Sequence, residues 1–294
     1  SNYDSGLLAY IGATGQVYDL TVEGANVLFS DNAAVLALNN YGLIRDCAVI
    51  NCNITADTGA VLGGIVSRNY GVIETSYVQG GTLTSNSITA TGHAGFVGSN
   101  ETGGRIERCW TSMDINTSSS YAGGFVGLSY GGTIRNCFSL GDVSAAEYSG
   151  GFAGRSVYPG NLYENCYAAG TITVSGEAGH GFIGGSKPDS SFQPDLSAEI
   201  ANCYYNTESP ADEYATGKTI AEMQSADFLI QLSGTSSIWA QSAEKNSGFP
   251  YLVDVDAPTG LPSSPITIEI ALAIYNKETY SFSQKDTIVS VTLE

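Results

Sequence analysis

The residues with chemistry to offer in this sequence are six cysteines, two histidines and a large excess of carboxylates. Cys47, Cys109, Cys137, Cys166 and Cys203 recur at a nearly constant interval, and Cys52 stands outside that series. In an oxidising compartment six cysteines would invite a disulfide reading. Regular spacing argues instead for one repeated slot filled by small buried hydrophobes, because Leu20 and Ser76 occupy the same slot. A bridge between Cys52 and Cys47 is the alternative. No Cys-x-x-Cys pair offers zinc a half-site. Asp114 and Asp142 each follow a slot cysteine by five residues, so they could stack, and a calcium ion would ease their repulsion. The competing reading makes them solvated turn carboxylates. A polysaccharide lyase or hydrolase would also need a basic residue beside such acids. The first lysine is Lys187, and Arg45, Arg68, Arg105, Arg108 and Arg135 form no convergent cluster. No catalytic residue is therefore assigned, and no cofactor is expected apart from that weak calcium option.

The elements that position these residues follow from a repeat. Ala94-Gly95-Phe96-Val97-Gly98, Gly123-Gly124-Phe125-Val126-Gly127, Gly150-Gly151-Phe152-Ala153-Gly154 and Gly181-Phe182-Ile183-Gly184 are near copies. Each is followed by a turn and then by a second motif: Ile106-Glu107-Arg108-Cys109-Trp110, Ile134-Arg135-Asn136-Cys137-Phe138, Tyr163-Glu164-Asn165-Cys166-Tyr167 or Ile200-Ala201-Asn202-Cys203-Tyr204. Fainter copies precede them. The slot recurs at 20, 47, 76, 109, 137, 166 and 203, with insertions near 80–92 and 186–198. Short β-prone runs, corner glycines and no helical periodicity describe coils of a parallel β-helix. Leucine-rich repeats need several fixed Leu positions, and propeller blades need about 40 residues.

These repeats resemble the GLUG motif over roughly residues 6–205. The resemblance implies an all-β chain, a right-handed parallel β-helix (solenoid) of about seven coils, from a secreted or cell-surface bacterial protein of adhesin-like character. Immunoglobulin A peptidases carry such repeats too, but with a separate His-Glu-x-x-His domain, a motif this chain lacks.

Stacked coils sit about 4.8 Å apart, so column composition gives orientation. The column of Val17, Ile44, Ile73, Ile106, Ile134 and Ile200 points inward. The next one, with Arg45, Glu74, Glu107, Arg135 and Glu164, points outward and permits ion pairs at Arg45–Glu74 and along Glu107–Arg135–Glu164. The Cys slot is again inward. Two inward positions three apart require a bend, expected at Asn136, Asn165 and Asn202 because Asn tolerates left-handed backbone. Tyr77, Trp110, Phe138, Tyr167 and Tyr204 then lie outside, as a ligand-binding aromatic column suited to sugar rings or to a protein partner. His93 and His180 fall about three coils apart, roughly 14 Å, too far to share a metal.

The pattern stops after Tyr205. Thr219-Ile220-Ala221-Glu222 is a capping box, and Ile220, Met223, Ala226, Leu229 and Leu232 mark one helix of about three turns. We assign 206–253 to a small helical C-terminal cap closing the last coil. Pro258, Gly260, Pro262 and Pro265 make 254–265 a linker. Alternation over 266–274 and again over 287–293 gives strands, and 266–294 is expected to begin a neighbouring domain.

Of 294 residues, 43% are hydrophobic, which excludes disorder. The net charge of −18 argues against nucleic-acid binding. No apolar run is long enough for a transmembrane helix. The sequence opens mid-pattern at Ser1-Asn2-Tyr3, as expected of a monomeric segment of a larger multidomain chain. The combined expectation is a non-catalytic, extracellular module for adhesion or rigid display, binding a host or cell-surface protein or glycan. The alternatives are a carbohydrate-binding module using the aromatic column and, third, a polysaccharide-cleaving enzyme.

Overall fold

The structure is a computed structural model that describes residues 6–29, 32–57, 61–88, 92–157, 160–176, 179–184, 199–234 and 236–255, and the backbone of 266–276 and 281–293. Two compact units result, Ser1–Asp256 and Ala257–Glu294.

The first unit is a parallel β-solenoid. Gln16–Tyr18, Leu43–Arg45, Val72–Glu74, Arg105–Glu107, Thr133–Arg135, Leu162–Ala168 and Glu199–Asn206 pair in parallel, stacking Val17, Ile44, Ile73, Ile106, Ile134, Tyr163 and Ile200 in one inward column. A second face stacks six strands, from Leu8–Ile11 to Ala153–Ser156, and a third stacks six, from Asn26–Phe29 to Ile172–Val174. Among the described residues, coils with a strand or bridge on every face run from Ala33 to Val174, about five in number. The repeats at either end supply only part of a coil, which is why fewer than seven are complete.

The expected bend is present and more general than expected. Asp19, Asp46, Thr75, Arg108, Asn136, Asn165 and Asn202 all adopt φ between 49° and 55°. Left-handed backbone at this position turns the strand, so that residues three apart both enter the core. For Thr75 and Arg108 it carries a strain of roughly 1 kcal/mol. The asparagines also bond one another along the stack: Asn165 Nδ2 donates to Asn136 Oδ1 at 3.1 Å, and Asn202 Nδ2 to Asn165 Oδ1 at 3.1 Å.

The Gly-Gly-Phe-Val-Gly motif has a steric origin. At Gly123 a Cβ would overlap the carbonyl oxygen of Val126 in its own turn, and at Gly124 it would overlap that of Gly151 in the next coil. Phe96, Phe125, Phe152 and Phe182 then stack inside the core, with ring centroids 4.7–4.8 Å apart. At another corner Asn40, Asn69 and Asn100 form a buried amide ladder, Asn40 Nδ2 donating to Asn69 Oδ1 at 2.8 Å and Asn69 Nδ2 to Asn100 Oδ1 at 2.9 Å. Buried amides are tolerated because each finds partners.

The last coil is closed by residues 205–218. Asp212 Oδ2 accepts the backbone N–H groups of Phe182 and Ile183 at 2.8 and 2.7 Å, satisfying donors at the sheet end. Thr216–Lys218 adds a short parallel strand beside Tyr204–Asn206. The expected single helix is two: α1 (Ile220–Met223) and α2 (Ala226–Ser233). The capping box at Thr219 and Glu222 is present. Ser225 breaks the run because its side chain accepts from Phe228 N–H and caps a new helix.

The cap runs two residues past its expected end, since Val255 is buried and Asp254 pairs with Arg108. The rest of the expected linker, 256–265, lies outside the described residues, as does the 186–198 insertion. The second unit is an antiparallel hairpin of Ile266–Asn276 and Ser281–Leu293, with a register shift between Ala271 and Ala273. Its second strand starts six residues before the alternation suggested.

Gly124→Ala is expected to destabilise the solenoid by about 3 kcal/mol, because the Gly151 carbonyl, held in the stack of the next coil, cannot retreat from the added methyl. Chemical denaturation of the variant against the wild type measures this.

Candidate functional site

The five aromatics selected from the sequence form one column. Tyr77, Trp110, Phe138, Tyr167 and Tyr204 occupy the same register on successive strands. Their rings stack, with centroids 4.8 Å apart for Tyr77–Trp110, 5.7 Å for Trp110–Phe138 and 5.0 Å for Phe138–Tyr167. The column points out of the solenoid, as the bend requires. It is not an exposed platform. Tyr77 and Phe138 are 2% exposed, Tyr167 0% and Tyr204 8%, and only Trp110 is half-buried. The C-terminal cap covers it. Met223, Phe228, Leu232, Trp239, Leu252 and Val255 pack on these rings as a second hydrophobic core. Phe228 meets Tyr204 and Tyr167 edge-on at 5.0 and 5.9 Å. The Tyr167 hydroxyl donates to the Pro250 carbonyl at 2.5 Å and accepts from Asn246 Nδ2 at 3.2 Å.

The correction has a plain cause. An apolar helix face and an apolar outer column each needed a partner, and they satisfy one another. Both signals were in the sequence. Their pairing was not, because the contacting residues lie far apart along the chain. The Trp110 indole N–H, for example, points at the carbonyl of Val255, 145 residues on, at 3.5 Å.

At the margin of the cap a cleft of about 350 Å³ remains, lined in part by Gln79, Trp110, Ser112, Lys245, Asn246 and Tyr251. The Trp110 faces are taken by Tyr77 and Phe138, and Lys245 Nζ sits 5.0 Å from the centre of the Tyr251 ring. The cleft therefore offers the edge of Trp110 and polar groups at its rim.

Asp114 and Asp142 do stack, and both are exposed. Their carboxylates serve the backbone. Asp142 N–H donates to Asp114 Oδ1 at 3.0 Å, and Thr171 N–H and Oγ1 donate to Asp142 Oδ1 at 2.7 and 2.9 Å. Asn53 does for Thr82, three coils earlier, what Asp142 does for Thr171. Among the described residues no group of three or more His, Cys, Asp or Glu could hold a metal ion. His93 is buried against Thr117 Oγ1 at 2.9 Å, and His180 lies 3.0 Å from the Ala211 carbonyl. The expected outer ion pairs form at Arg45–Glu74 (3.9 Å) and Arg135–Glu164 (2.8 Å), while Glu107 turns to Arg105 in its own strand instead of Arg135.

All six cysteines are buried and free. Burial pushes the Cys47 thiol up to about 11 and raises Cys137 and Cys203 as well. Both effects suppress the reactive thiolate. Thiol titration is expected to count almost none in the native protein at pH 8 and six after unfolding without reductant. Deleting 219–255 is expected to uncover the aromatic column, so that the shortened chain binds a hydrophobic dye and self-associates in ultracentrifugation. A monomer that melts like the intact chain would contradict the cap's role.

Comparison with known proteins bears on this architecture. Residues 118–144, which contain Gly123-Gly124-Phe125-Val126-Gly127 and Ile134-Arg135-Asn136-Cys137-Phe138, match the GLUG motif. No curated protein matches the chain in sequence. Among solved structures the chain is similar to a "putative immunoglobulin A1 protease from Bacteroides ovatus", with 14% identity and a TM-score of 0.60 over 80% of this chain and 76% of that one. At such identity the likeness is one of fold. The chain is thus a parallel β-solenoid that carries a GLUG motif, built on an architecture shared with that Bacteroides protein.

Proposed function

We propose that this chain is a non-catalytic repeat module of a secreted or cell-surface bacterial protein, acting in adhesion and as a rigid spacer that displays neighbouring domains. The observation that carries this reading is the unbroken parallel register of seven strands in one column, braced along its side by the cap. Seven strands at about 4.8 Å spacing span roughly 29 Å, a rod that is stiff because each coil is bonded to the next on several faces. The GLUG motif and the Bacteroides neighbour support a bacterial surface or secreted setting.

The neighbour's printed name mentions a protease. For this chain, the residues favour no cleavage chemistry: His-Glu-x-x-His is missing from the sequence, and the stacked Asp114 and Asp142 are engaged by backbone and threonine donors. Carbohydrate binding through Tyr77, Trp110, Phe138, Tyr167 and Tyr204 is withdrawn, since the cap occupies that face.

Beads coated with the intact chain are expected to adhere to cultured host cells more than beads coated with the heat-unfolded chain. Equal adherence would remove adhesion and leave only the spacer. Incubation with immunoglobulin A1 is expected to leave its heavy chain intact on a denaturing gel, and specific fragments would reverse the non-catalytic reading.

A further inference from the structure

The solenoid carries a second outer aromatic ladder, which the cap does not reach. Tyr41 and Tyr70 follow Asn40 and Asn69 at one corner and stack in parallel, with centroids 4.4 Å apart and planes within 1°. Tyr10, from the first coil, adds a third ring 5.0 Å from Tyr41, tilted by 32°. Tyr10 is 61% and Tyr41 38% exposed, and Tyr70 is half-buried. Rings stacked in this way show edges and hydroxyls sideways. The tilt of Tyr10 turns part of its ring face away from Tyr41 and leaves it accessible.

Polar groups adjoin the rings. Tyr10, Asn39 and Arg68 share one register position on successive strands of the same sheet, two residues before the corner that bears Tyr41 and Tyr70. Arg68 Nη1 pairs with Glu101 Oε1 at 3.2 Å, and Ser99 Oγ donates to that same oxygen at 2.7 Å. A guanidinium keeps further N–H donors when one is engaged. The patch is therefore electrically balanced, on a chain of net charge −18. That balance selects the occupant. Acidic glycans and nucleic acids are repelled by the chain as a whole, and a cationic peptide finds no surplus of acid here. An uncharged polyhydroxylated ligand fits: its C–H face lies against an exposed aromatic ring, and its hydroxyls meet phenol, amide and guanidinium groups, the mixture of apolar surface and few placed polar groups typical of ligand sites.

We propose that Tyr10, Tyr41 and Tyr70, with Asn39 and Arg68, form a binding surface for an uncharged glycan. The inference rests on the adhesion reading above and names its partner class. It assigns Tyr10 to stacking, the other two phenols to edge contacts and hydrogen bonds, and Asn39 and Arg68 to orientation.

The test uses the intact chain on an array of uncharged glucans, mannans and galactans beside sialylated and sulfated glycans. Binding to at least one uncharged glycan is expected. Tyr10→Ala and Tyr41→Ala are each expected to weaken it about tenfold or more, and Tyr41→Phe by a few-fold, with melting temperatures unchanged. Ile230→Ala, at an exposed apolar site on α2, is expected to bind as wild type. Binding to acidic glycans only, binding to none, or binding indifferent to both Tyr→Ala changes would overturn the proposal. If coated beads adhere to cells while the array stays blank, this inference falls and the adhesion reading stands. If both fail, the adhesion reading falls too.

Discussion

One left-handed residue per repeat sets the geometry of the rod. The core needs the Ile column and the Cys column on the same side, although they are three residues apart. Strict strand alternation places such residues on opposite sides. A residue near φ +50° between them resolves the conflict in every repeat from Asp19 to Asn202. Everything beyond the Cys slot is then re-aimed. The small residue enters the core and the large aromatic that follows is turned out. Had the chain stayed extended, the rings would have entered the solenoid and the thiols would have faced solvent.

That turn creates a problem which the C-terminal segment solves. An outward column of stacked rings is a large apolar surface on an otherwise polar rod. Residues 219–255 lay two short helices and a two-strand ribbon of Trp239–Ala240 and Tyr251–Leu252 over it. A separate piece, residues 205–218, closes the end of the stack through Asp212 and the ring of Tyr205. The two tasks of terminating the solenoid and shielding its flank are thus divided between neighbouring segments, whereas the sequence suggests a single plug at the end.

Much of the fold was legible because the repeat makes each column a small experiment in composition. Ile at six levels can only be core. Cysteine that exchanges with Leu20 and Ser76 can only be a small packing unit, and all six thiols are indeed free. The glycine pairs announced tight corners, although the carbonyl of the next coil, which forbids a side chain at Gly124, emerges only from the stacking. What stayed hidden depends on distance along the chain or on choices between near-equal partners. The cap's placement involves residues up to 145 apart. Glu107 had two arginines in reach and took Arg105. The break at Ser225 sits inside an apolar spacing that reads as continuous. The Tyr10–Tyr41–Tyr70 ladder escaped because its rings come from corner and strand positions outside the two conserved-looking motifs of the repeat.

The span of the cap's contacts also orders events in time. Within the solenoid, bonded residues are about one repeat apart, so coils can add one after another with short loops to close at each step. The cap obeys a different rule. Its grip on Trp110, Phe138, Tyr167 and Tyr204 needs rings from four levels already stacked in register. A chain with one coil missing or slipped would present a broken column, and α2 and Trp239 would find no continuous surface. Docking of the cap therefore reports that the levels beneath it are stacked in register. A repeat protein gains from a last step that succeeds only on a correct template.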